Sequence, residues 1–271
     1  MMNRRTSLTQ ALLLLSGAAL SSVSAKAEAP SGKALRVAAA SDLKFVLPLL
    51  LGEFQSVTGM AVEATFGSSG NFARQIRQGL PVDLFMSADE SWVEQLAQAG
   101  FTRSLPSVAG AVHDRGVIYA LGRIALYVPR ESTLGLDPAL AGLRVGWQQV
   151  TKFAIANPEH APYGRAAREA LEKLGMWELV KPKLVLGENI AQATQFVATG
   201  AAQAGITALS LALAPEVAQR GRHMALPAEL HSPLRQRMVL TRSAVPHARQ
   251  LYDFLQSASA RDLFKRYGFE F

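Results

Sequence analysis

The sequence predicts an α/β protein built as two lobes, and three observations carry that expectation. From residue 35 onward, short apolar or β-rich runs alternate with stretches of helical periodicity. Three strand–helix units follow one another between residues 35 and 100, the pattern of a parallel sheet with crossover helices. A second series starts near residue 117, and two small sheets account for both series better than one continuous sheet. Composition agrees with a folded chain. Among 271 residues, 49% are hydrophobic, 18% are charged and none is cysteine, which excludes a disordered chain, a collagen and a disulfide scaffold.

In order, Leu35-Arg36-Val37-Ala38-Ala39-Ala40 reads as a buried strand. Residues 43–57 follow as a helix with Val46, Leu47, Leu50 and Phe54 as its apolar positions, ended by Gly59. Val62, Ala64 and Phe66 alternate as a strand, residues 71–78 form a helix closed by Gly79, residues 82–86 a strand, and residues 91–99 a helix closed by Gly100. In the second series, residues 117–128 are strand material, and residues 143–147 and 153–156 are short strands. A helix over 165–174 precedes Gly175, a strand covers 183–186, a helix over 190–199 is closed by Gly200, and a strand covers 204–208. The tail adds a strand over 238–241 and a helix over 246–256 with Pro246 in its first turn.

The amino terminus has the form of an export signal. Arg4 and Arg5 precede an apolar run over residues 11–20, and Ala25-Lys26-Ala27 offers small residues where a signal peptidase reads, so residues 1–27 are expected to be removed. That run is about half of the roughly 20 residues a bilayer-spanning helix needs, which favours export to the periplasm over a membrane anchor. The Sec route is expected over the twin-arginine route, because Thr6-Ser7-Leu8 matches the latter only in part. The full chain carries 28 basic and 21 acidic residues, and without Arg4, Arg5 and Lys26 the balance is 25 − 21 = +4. Spread thinly, with no Lys/Arg block, that charge is not a nucleic-acid footprint.

Chemistry concentrates in the turns between strands and helices. Ala40-Ser41-Asp42 follows the first strand and Gly67-Ser68-Ser69-Gly70-Asn71 the second, while Pro162-Tyr163-Gly164 and Glu188-Asn189-Ile190 open two helices of the second series. Each places hydroxyls or free backbone N–H groups at a helix start, where unpaired donors and the positive dipole end favour an anion. Taken singly, each turn is also what an ordinary N-cap looks like. A cap does not account for two glycines beside two serines, which suit close backbone approach to a ligand. Enzyme motifs are absent: no nucleophile elbow, no Walker loop and no dinucleotide fingerprint. His113, His160, His223, His231 and His247 lack metal-ligand spacing and suit surface or packing roles. Asp83 and Asp89 flank a strand end, where Asp89 is well placed to cap the next helix rather than form a carboxylate pair.

As a set, these residues resemble a known family. Ala38-Ala39-Ala40-Ser41-Asp42-Leu43, Phe66-Gly67-Ser68-Ser69-Gly70, Ala73-Arg74-Gln75-Ile76 and Asp83-Leu84-Phe85-Met86-Ser87-Ala88-Asp89 are similar, in order and spacing, to the periplasmic molybdate-binding proteins of ABC transporters. So are Asn157-Pro158-Glu159-His160-Ala161-Pro162-Tyr163-Gly164, Ala170-Leu171-Glu172-Lys173-Leu174-Gly175 and the ending Phe264-Lys265-Arg266-Tyr267-Gly268-Phe269. The resemblance covers essentially the whole chain after the signal.

It implies a type II periplasmic binding protein fold, in which two α/β lobes joined by two crossovers close on a ligand cleft. Lobe 1 would be residues 28–121 plus 227–271 and lobe 2 residues 122–226. The implied function is capture of molybdate, and of the nearly equal-sized tungstate, for delivery to the permease of an ABC importer in the inner membrane. No catalysis, cofactor or nucleic-acid partner is implied, and a monomer is the default. Family members hold the oxyanion with neutral donors, which carry over to Ser41, Ser69, Tyr163 and Ile190, with Asp42 as a further backbone contact. These are contacts to the oxygens of the anion, not bonds to the metal. The sequence departs from some members at Gly205-Ile206-Thr207-Ala208-Leu209, where Ala208 stands in place of a tyrosine, and Tyr163 stands where those members carry a smaller residue. Tyr163 is then expected to give its backbone N–H and its ring as a cover. Asp42 is a carboxylate beside an expected dianion, so its side chain is expected to turn away and cap the helix. Sulfate or phosphate would suit the same fold, with Asp42 the one candidate acceptor for the proton of phosphate. A hydrolase using Ser69 as nucleophile has no base in these motifs.

Overall fold

The computed structural model describes residues 33–106 and 112–271; the expected signal peptide and its cleavage point after Ala27 lie outside the described residues. Strands β1 (Leu35–Ala40), β2 (Val62–Gly67) and β3 (Leu84–Ser87) run parallel and are each followed by a helix, α1 (Val46–Thr58), α2 (Ser69–Arg77) and α3 (Glu90–Gln98). The short strands β4 (Leu105–Pro106) and β5 (Val112–His113) pair with each other. Strand β6 (Val117–Gly122) returns to the first sheet, and β7 (Ile124–Pro129), one residue later, belongs to a second. The second series is α4 (Ala141–Val145), β8 (Phe153–Ala156), α5 (Pro162–Lys173), α6 (Trp177–Val180), β9 (Leu184–Gly187), α7 (Ile190–Ala198), β10 (Ala204–Ala208), α8 (Leu209–Ala212), α9 (Pro215–Ala218) and β11 (Gly221–Ala225). The chain then crosses back as β12 (Leu234–Leu240) and ends in α10 (Ala248–Phe254) and α11 (Ala258–Arg266).

The two five-stranded sheets share one plan. Their orders, β2-β1-β3-β12-β6 and β9-β8-β10-β7-β11, each place the first strand of a parallel trio in the middle of that trio. Next comes a strand antiparallel to the third member, then an outer strand. Successive crossovers therefore leave β1, and likewise β8, in opposite directions. That arrangement opens a crevice at the carboxyl ends of the strands, where ligands of open α/β sheets bind. Apolar packing holds the helices in place. On α1, Val46, Leu47, Leu50 and Phe54 are buried against the first sheet together with Leu251 of α10 and Phe264 of α11. In the second lobe, Ala166, Ala167, Ala170 and Leu171 of α5 pack with Phe153 and Ile155 of β8.

The structure moves several expected boundaries. The first helix begins at Val46 rather than residue 43, because Pro48 lacks an N–H and is accommodated only in a first turn; residues 41–43 form a separate 3-10 turn. Residues 143–147 are not a strand but the end of α4 and the start of a 3-10 turn. The Asp137 carboxylate accepts the N–H groups of Ala139, Ala141 and Gly142 and nucleates a helix there. The apolar stretch 117–128 divides at Arg123 between the two sheets. Helices α2 and α5 start two and three residues earlier than the periodicity suggests, at Ser69 and Pro162. The shift places Ser69 and Tyr163 inside first turns.

Candidate functional site

One narrow cavity lies where the carboxyl ends of β1, β2, β8 and β9 meet. It is lined by Ala40, Ser41 and Asp42 after β1, by Gly67, Ser68 and Ser69 after β2, by Ala161, Pro162 and Tyr163 after β8, and by Ile190 after β9, with Ala88 after β3. All four turns singled out by their small polar residues are thus brought together, two from each sheet. Apart from Asp42, no lining residue is ionisable at neutral pH.

Each turn presents a donor. Ser69, Tyr163 and Ile190 occupy the first, second and first positions of α2, α5 and α7, so their N–H groups are among those a helix leaves without an internal partner. The helix dipoles add partial positive charge at the same points. Backbone N–H groups hold both serine hydroxyls. Ala191 N–H donates to Ser41 Oγ at 3.2 Å and Ala88 N–H donates to Ser69 Oγ at 2.9 Å, so each hydroxyl has its oxygen occupied and its hydrogen left to give. Tight packing fixes the turns. A Cβ on Gly164 would lie 2.1 Å from Ala156 O, and one on Gly70 would lie 2.7 Å from His160 O. Only glycine lets α5 start against β8 and lets the Ser69 turn meet the 157–161 loop, where Gly70 N–H donates to His160 O at 3.0 Å.

Asp42 does not cap a helix, which corrects the expectation for its side chain. The 3-10 turn of Ser41–Leu43 has no side-chain cap. Instead Oδ2 accepts from Gln236 Nε2 at 2.6 Å and from the Tyr163 hydroxyl at 3.0 Å, while Oδ1 is buried without a partner. Gln236 Nε2 also donates to the Tyr163 hydroxyl at 3.0 Å, and Gln236 Oε1 accepts from Tyr119 at 2.6 Å. The Asp42 carbonyl accepts from Ser210 Oγ at 2.9 Å. Burial pushes the Asp42 carboxyl up to about 6, against the lowering effect of the Gln236 and Tyr163 bonds. Burial first, and the nearby carboxyl second, hold the Tyr119 and Tyr163 phenols well above their usual range.

Gln236, Tyr119 and Ser210 stand outside the sequence motifs. For Gln236 the signal was available: along β12, Leu234, Gln236 and Met238 are buried between less buried Arg235 and Arg237, so a polar residue holds an inward position. His160 also does more than pack, since its Nδ1 shares a 3.0 Å hydrogen bond with Ser68 Oγ across the cleft. Further ties between the sheets' loops are Asn71 to Glu188 and Arg165 to Asp89. Asp89 caps α3 by accepting Ser91 N–H, and Asp83 accepts from the backbone of Arg36 and Val245. Both carboxylates are therefore structural. Among the described residues no cluster of His, Asp and Glu could hold a metal ion.

The geometry has parallels in known proteins. The bacterial extracellular solute-binding protein family matches residues 35–270. The molybdate-binding protein ModA of Azotobacter vinelandii is 34% identical over 237 residues, covering 87% of this chain and 89% of that protein. ModA of Escherichia coli is 31% identical over 270 residues, covering 95% and 97% respectively. The solved structure of the Azotobacter vinelandii periplasmic molybdate-binding protein superposes with a TM-score of 0.76 at 31% identity, covering 88% of this chain and 99% of that one. Sequence match, shared fold and the meeting of the motif turns at one cleft agree, and the chain belongs to the ModA family of bacterial extracellular solute-binding proteins.

Proposed function

We propose that this protein is the periplasmic substrate-binding component of an ABC importer, capturing molybdate, and tungstate with it, and passing the anion to an inner-membrane permease. The observation that carries the reading is the cavity itself: four turns from two sheets aim hydroxyl and backbone donors at one point with no basic side chain in the wall. A buried oxyanion must regain the hydrogen bonds it had in water, and fixed neutral donors do this without a counter-charge that would also hold the anion back at release. Ser41 and Ser69 supply hydroxyls, Tyr163 and Ile190 supply backbone N–H groups, and the Asp42 N–H is a further contact. The metal keeps its own oxygens throughout and takes no protein ligand.

Residues 28–121 with 227–271 form one lobe and residues 122–226 the other, with ligand release by lobe opening. The protein acts as a monomer after export through the Sec route, and it needs no cofactor and carries out no catalysis. Ser69 Oγ accepts from Ala88 N–H, and the histidine near this turn bonds Ser68 instead, which leaves a Ser69 nucleophile without a base. Size is the feature left to reject sulfate, whose charge and shape match molybdate and whose radius is smaller.

Isothermal titration calorimetry with molybdate, tungstate, sulfate and phosphate in one non-phosphate buffer tests this reading. Tight one-to-one binding of the first two alone is expected. Preference for sulfate or phosphate would keep the fold and overturn the ligand.

A further inference from the structure

Asp42 lines a cavity assigned to a dianion and carries a buried carboxyl group, and that placement calls for an electrostatic resolution. It is 1% exposed, its Oδ1 has no partner, and the remaining lining residues bring no cation to offset it. An ionised Asp42 beside a bound dianion would place like charges together away from water, where their repulsion is poorly screened. A neutral Asp42 removes the repulsion and turns the orphaned oxygen into an O–H donor, in keeping with the hydroxyl and backbone N–H donors of the other turns.

Resting on the oxyanion reading of this site, we propose that Asp42 is a proton-coupled binding residue: the protein holds its dianion with Asp42 as the neutral acid, so that capture takes up a proton, O–H forming on Asp42 and the proton coming from solvent. The surroundings leave this proton to Asp42 alone. Its ionisable neighbours are the buried phenols of Tyr163 on α5 and Tyr119 on β6, both held protonated. On β12, Arg235 and Arg237 pair with Glu90, and on α5 Arg165 pairs with Asp89. Glu63, the one ionisable residue of β2, is exposed, and α7 and α8 contain no ionisable residue. The Oδ2 donors, Gln236 and Tyr163, favour the charged form, yet burial outweighs them and the free protein already takes its proton near pH 6. A dianion close by drives uptake further in the same direction.

The test is molybdate titration by calorimetry at about pH 7.5 in three buffers of different ionisation heat, none of them phosphate. The slope of observed enthalpy against buffer ionisation enthalpy counts protons, and a value near one proton taken up per anion is expected for the native protein. Its dissociation constant should then rise about tenfold per pH unit above pH 7. Asp42→Asn, which keeps an oxygen for Gln236 and Tyr163, should give a slope near zero and an affinity flat with pH. Molybdate binding with zero slope and flat pH dependence in the native protein would overturn the proton coupling while keeping the oxyanion reading. Absence of any binding would overturn both. The native protein alone decides the question, whatever the folding of the variant.

Discussion

The two sheets repeat one strand order, yet they equip their turns differently. In the first, the donors proposed at the cleft include side chains, the hydroxyls of Ser41 and Ser69. In the second, Tyr163 and Ile190 sit at corresponding strand ends, and the donors proposed there are backbone N–H groups alone. The Tyr163 hydroxyl already donates to Asp42 Oδ2, and Ile190 has no side-chain donor. Equivalent topology thus fixes where a donor is placed but not which atom donates. A side chain can be deleted by mutation, whereas a backbone N–H can be removed only with proline.

The largest expected effect tests the side-chain half. Ser41→Ala combined with Ser69→Ala should weaken molybdate binding by about 3–6 kcal/mol, since a hydrogen bond to a charged group is worth about 1.5–3 kcal/mol and the two hydroxyls lie on separate elements. Calorimetry reads this directly, and an unchanged affinity would place the site elsewhere. Next in size is Asp42, the one acidic residue lining the cavity. Because Asp42 is raised from 3.8 to about 6 on folding, the folded state holds its proton more tightly. The stabilisation is fully present below about pH 3.8 and is lost as pH rises through 6, a span of about 3 kcal/mol. Urea unfolding of native protein and Asp42→Asn at about pH 4 and pH 8 should show the variant gaining relative stability at the higher pH. A difference that does not change with pH would mean that Asp42 keeps an ordinary proton affinity.

For the backbone half, Ile190→Pro should cost about 1.5–3 kcal/mol of binding. Proline is tolerated at the first position of a helix, and Asn189 before it is already extended at φ −150°, so the loss reports the missing N–H rather than a broken helix. Smallest of all, Ile190→Val should change affinity by less than about 0.5 kcal/mol, as a side chain outside the hydrogen bonding would. Equal losses from the two Ile190 substitutions would point to side-chain packing and dissolve the contrast between the lobes.

Legibility in the sequence follows the range of the interactions. Asn189 as the cap of α7 and Asp89 as the cap of α3 can be read because the residue and the backbone it serves are neighbours in the chain. The Ser41 and Ser69 turns can be read as small polar residues between strand and helix, although their hydroxyls bond the distant Ala191 and Ala88. Helix α4 is hidden in an apolar run that suits a strand equally well, and only the three N–H groups on the Asp137 carboxylate decide between them. The contacts made by Asp42 were out of reach. They join residue 42 to residues 163, 210 and 236, and no local pattern encodes a meeting over such separations.

Strand β12 carries a consequence for assembly. It lies between β3 and β6, pairing with both, although it is made from residues 234–240, more than a hundred positions after β6. The first sheet therefore stays split, with two open edges, until the chain of the second has been made and the return strand arrives. Pairing of such distant segments is slow to nucleate, so the final sheet closure belongs late in folding.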